Sequence, residues 1–152
     1  MPILEREIVI GKYLAGLALI ILGLVTTLIH YVTLISVGSS IDHGAVFAGY
    51  LGLALLGGVY TAVSLFASSV TDNQVIAFIV GIAIVLVFFM LDKLLFFVPP
   101  SLSGIIQYLG TDFHLSNMSR GVIDTRNLVY FGSVIGFFLA LTVRILESRK
   151  WN

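Results

Sequence analysis

Four stretches of the chain, about residues 10–37, 46–70, 75–97 and 128–146, run apolar for roughly twenty residues or more with no formal charge in their central turns. An α-helix rises ~1.5 Å per residue, so each run is long enough to cross a hydrocarbon core of about 30 Å. The runs are continuous, not alternating. That pattern predicts helices, which satisfy their own backbone groups in lipid, over barrel strands.

Composition agrees, since 59% of residues are hydrophobic and 11% charged, with a mean hydropathy of +1.09. Soluble domains carry about 25% charge, so the expected class is an all-α integral membrane protein. Eight basic residues balance eight acidic ones, which leaves no cationic surplus for nucleic acid. The chain has no cysteine, so thiolate metal sites and thiol nucleophiles are excluded. The mixed-charge opening "MPILEREIVIGKYLAG" precedes an apolar run too long for a cleavable signal, and that run is read as a retained helix.

Short connections, "GSSIDHGA" and "TDNQ", separate the first three runs, and Thr71 or Asp72 is the expected N-cap of the third helix. A longer connection, about residues 98–127, follows Pro99 and Pro100. Within it "SLSGIIQYL", with Ser101 as N-cap, and "LSNMSRGVI" suggest two short helices dipping into one membrane face. Arg6, Lys12, Arg144, Arg149 and Lys150 lie on the side of both termini, against Lys93, Arg120 and Arg126 on the other. The excess favours cytoplasmic termini, with Tyr13 and Trp151 as interfacial anchors and the long connection outside.

Small residues recur at four-residue spacing: Ala48 and Gly52, Ala54 and Gly58, Ala77 and Gly81, and then Gly132, Gly136 and Ala140. Such stripes let helix backbones approach closely, either within the chain or, for the last helix, between subunits. His30 lies deep in the first run without a second histidine at comparable depth, so a haem site is not indicated. No metal-ligand spacing, serine nucleophile motif or Walker-type loop is present, and paired intramembrane carboxylates are absent. Asp92 and Lys93 fall about 25 Å from the start of the third helix, which places them at the far interface.

Three stretches, "REIVIGKYLAGLAL", "SLFASSVTDNQVIAFIVG" and "RGVIDTRNLVYFGSVIGFFLALTVRILESRKW", resemble the ABC-2 permeases, closest to the gliding-motility-type branch. The match covers nearly the whole chain in the same order. It implies a permease subunit of an ATP-driven exporter, with short re-entrant helices between its last two spans, in the bacterial inner membrane. The implied partners are a cytoplasmic ABC ATPase subunit, which would hold the ATP and magnesium, and a second permease subunit in a homo- or heterodimer. No cofactor and no enzymatic activity are expected in this chain.

Relatives have six transmembrane helices, and this chain resembles the last four, either as a partial permease or with another polypeptide supplying the rest. On the resemblance, Glu5, Arg6, Glu7 and Lys12, with Thr71, Asp72, Asn73 and Gln74, form the ATPase-facing surface. Asp92, Lys93, Arg120 and Asp124 mark the outer rim. Gly132, Gly136 and Ala140 serve helix packing or a dimer interface. The competing function is a non-transporting helical anchor or assembly subunit of a larger complex.

Overall fold

The computed structural model describes residues 4–38 and 40–149, and Lys150 and Trp151 lie outside the described residues. The helices are α1 (Glu5–Ser36), α2 (His43–Val70), α3 (Gln74–Leu94), α4 (Pro100–Leu109), α5 (Thr111–Ser119) and α6 (Thr125–Arg149), with a 3-10 turn at Leu95–Phe97. Among the described residues there is no strand, and α1, α2, α3 and α6 are long and apolar enough to cross a membrane.

Local chemistry sets the helix ends, which differ from the expected bounds. The first helix begins at Glu5, not near Ile10, because Glu7 turns back to accept from the Leu4 amide at 3.3 Å. Two acids in that first turn also face the positive end of the helix dipole. Asp42 starts α2 at His43 by accepting from the amides of Gly44 (2.9 Å) and Ala45 (3.2 Å).

The cap of α3 is Asn73, neither Thr71 nor Asp72. Its side-chain oxygen accepts from Val75 (2.9 Å) and Ile76 (3.4 Å), while the Thr71 hydroxyl accepts one step earlier from the Asn73 amide (3.2 Å). Ser101 likewise gives way as the cap of α4: Pro99 holds that position and Pro100 opens the helix, where its missing N–H costs no bond. At the end of α5, Val122 N–H donates to Asn117 O (3.2 Å) and Gly121 N–H to Met118 O (2.9 Å). This paired closure needs the left-handed φ of +84° that Gly121 supplies.

The centre of the molecule is α2, which packs against α1, α3, α5 and α6. Its buried face is built from small residues, including Ala48, Gly52, Gly57, Gly58 and Ala62, so neighbouring backbones come close. A Cβ at Gly58 would lie 2.7 Å from the Tyr13 hydroxyl and 3.1 Å from Ile135 Cδ1. The core around Val59, Val63, Met118, Tyr130, Phe131 and Phe138 joins α2 to α5 and α6. Phe138 also meets Phe66 and Phe88 edge-on at 5.5 and 6.1 Å. By contrast α1 and α3 leave large side chains such as Leu19 and Phe78 uncovered, the surface expected of helices solvated by lipid.

Candidate functional site

Because the four long helices alternate in direction, the start of α1, the α2–α3 turn and the end of α6 share one end of the bundle. Two ion pairs join them. Arg6 Nε lies 4.0 Å from Glu147, and Arg149 Nη1 lies 2.5 Å from Asp72. All four side chains are well exposed, so each pair contributes about 0.2–1 kcal/mol and serves mainly to fix register. Glu5, Glu7, Lys12 and Gln74 lie at the same end, and Lys12 is exposed. Next to Arg6, a groove of about 390 Å³ between α1 and α6 is lined in part by Val9, Ala140 and Arg144.

At the opposite end, Lys93 Nζ reaches Asp112 on α5 at 3.6 Å and lies 5.7 Å from the Phe89 ring centroid. The side chain of Asp92 is outside the described residues. Asp124 caps α6, accepting from the Arg126 amide at 3.0 Å, and Arg120 is the exposed C-cap of α5. These residues share an end, but Asp124 holds a backbone and makes no joint cluster with Lys93.

At the same end of the bundle sits a buried polar node. His114 on α5 is fully buried, its Nε2–H donates to the Tyr108 carbonyl (2.9 Å), and its Nδ1 is 2.7 Å from the Asn127 side-chain amide. Tyr130 stacks on the imidazole at 4.0 Å and donates to the Leu109 carbonyl at 2.5 Å. With Nε2 donating, Nδ1 of a singly protonated ring accepts. The Asn127 amide turned with Nδ2 toward the ring then satisfies Nδ1 and partners an Nδ2 that is otherwise unpaired. The node ties the end of α4 to α5 and α6, and among the described residues no group of three metal-ligating side chains occurs.

The family model described as ABC-2 family transporter protein matches residues 1–144. The chain belongs to the ABC-2 transporter family. Comparison with curated proteins and with solved structures returned no match. Family membership makes this ABC-2 protein an integral membrane transport component that is not itself catalytic, and it implies an ABC ATPase partner.

In this ABC-2 protein the stripe of Gly132, Gly136 and Ala140 is exposed, and added Cβ atoms at the two glycines would meet nothing within 4 Å. Among the described residues Gly132 and Gly136 therefore pack against no helix, unlike Gly52 and Gly58, while Ala140 lines the groove between α1 and α6. Sequence reasoning missed Glu147 and Arg149 as partners of Arg6 and Asp72, although both lie in the quoted "LESR". His114 falls within the long connection of residues 98–127, where its mixed polar and apolar neighbours gave no signal that it would be buried.

Proposed function

We propose that this ABC-2 protein is the permease subunit of an ATP-driven exporter of the gliding-motility-type branch, in the bacterial inner membrane. Both termini and the α2–α3 turn face the cytoplasm. A partner ATPase holds the ATP and magnesium and docks on Glu5, Arg6, Glu7, Lys12 and Thr71 to Gln74. The observation that carries this reading is the pair of contacts, Arg6 to Glu147 and Arg149 to Asp72, which gather three chain segments into one charged platform.

Closure of the ATPase would push on that platform. Because α2 touches every other long helix, a displacement of its turn shifts the equilibrium between two arrangements of the bundle. In this reading α4 and α5 form an extracytoplasmic re-entrant pair, supported by the burial of Thr111, His114 and Met118. A second permease subunit covers the open stripe of α6.

Affinity purification with the ABC ATPase of the same cell tests the docking surface. Charge reversal at Arg6 and Lys12 together is expected to lower recovery of the ATPase about tenfold or more. Unchanged recovery would count against the platform.

A further inference from the structure

Between α2 and α3 lies an open groove of about 770 Å³, within the range of ligand-binding clefts. One wall is the α2 row of Tyr60, Ser64 and Ser68, and the other is apolar, with Phe78, Leu86 and Phe89 of α3. From Thr71 at the mouth to Tyr60 the groove follows α2 for about 16 Å, more than half a hydrocarbon core.

Hydroxyls within membrane helices usually return their proton to a backbone carbonyl of the preceding turn. This chain follows the habit: Thr61 donates to Gly57 O (2.9 Å), Ser69 to Phe66 O (2.7 Å) and Thr142 to Phe138 O (2.8 Å). Every other described serine or threonine of the four long helices also has a partner. Ser64 and Ser68 are the exceptions among the described residues, and both are exposed on the groove. A hydroxyl left facing hydrocarbon without a partner is unfavourable, so this wall calls for an occupant with its own hydrogen-bonding groups.

Charge narrows the class. Among the described residues no basic side chain lines the groove, and the carboxylate that does, Asp72, is already engaged by Arg149. The cation at the mouth, Arg149, is thus already paired and offers a phosphate head no free charge, and the apolar α3 wall suits a hydrocarbon chain. We infer that the α2–α3 groove binds a neutral amphiphile with a hydroxyl-rich head, the head against Ser64 and Ser68 and the chain along Phe78 and Leu86.

The inference stands on the groove and needs no ATPase, so failed docking at the charged end would leave it intact. The test is native mass spectrometry of the full chain released from nanodiscs containing monoglucosyl diacylglycerol and phosphatidylglycerol with identical acyl chains. The chain is expected to retain the glucolipid preferentially. Ser64→Val with Ser68→Val is expected to lower that retention about tenfold, as for loss of two modest hydrogen bonds, while Ser101→Val leaves it unchanged. Equal retention of the two lipids by the unaltered chain would overturn the inference, as would undiminished retention by the double variant. Disulfide-linked dimers of Ser64→Cys formed in place of glucolipid binding would overturn it too, by showing a second copy in the groove.

Discussion

His114 and Asn127 meet at 2.7 Å at the end of the bundle opposite the α2–α3 turn, both buried, binding α5 to α6 through two polar side chains in an apolar bundle. Replacing the ring by an apolar one of similar size, His114→Phe, keeps much of the stacking with Tyr130. It strands both the Tyr108 carbonyl and the Asn127 amide. The expected cost is about 1–3 kcal/mol, seen as a lower midpoint of thermal unfolding in detergent. Asn127→Ala is expected to cost a similar amount, and the two losses should not add, because they remove one shared contact.

Gly58 and Gly136 are expected to respond oppositely to alanine. At Gly58 the new methyl collides with the Tyr13 hydroxyl and Ile135, for a loss of about 1–3 kcal/mol. Tyr13→Phe removes the nearest colliding atom and should recover part of that loss in a double-mutant cycle. Gly136→Ala meets open space and should be neutral or raise helix stability by up to about 1 kcal/mol.

Bulk at the same stripe tests the proposed second subunit. Gly136→Leu is expected to leave the unfolding midpoint of the isolated chain near that of the parent while weakening dimers measured by crosslinking in membranes. An unchanged dimer fraction would remove the α6 stripe from the interface.

Asp72→Ala and Arg149→Ala should each change stability by less than about 1 kcal/mol, since their pair is exposed. If they matter, they matter for coupling. ATPase stimulation by the permease is the measurement, with loss expected in both variants and partial return in the charge-swapped pair Asp72→Arg with Arg149→Asp.

The spans were legible because lipid leaves a simple record: twenty or so apolar residues in a row, with ends set by Asp42, Asn73 and Asp124 within a few positions. The α3 cap was misassigned by one or two residues because Thr71, Asp72 and Asn73 are all capable caps, and only backbone geometry chooses among them. The His114 node was hidden for a different reason. Its partners Tyr108, Asn127 and Tyr130 come together only when three helices close. The α2–α3 groove is a property of a hairpin, since Ser64 and Ser68 gain meaning once α3 stands beside them with an apolar wall.

In the proposed arrangement the charged end of this ABC-2 permease receives the ATPase from the cytoplasm. Site-specific photocrosslinking in cells tests it directly, with a benzophenone amino acid placed at Lys12 or at Arg120. An adduct with the ABC ATPase from position 12 and none from position 120 is the expected result. An adduct from position 120, or none from position 12 in cells that contain the ATPase, would contradict the account.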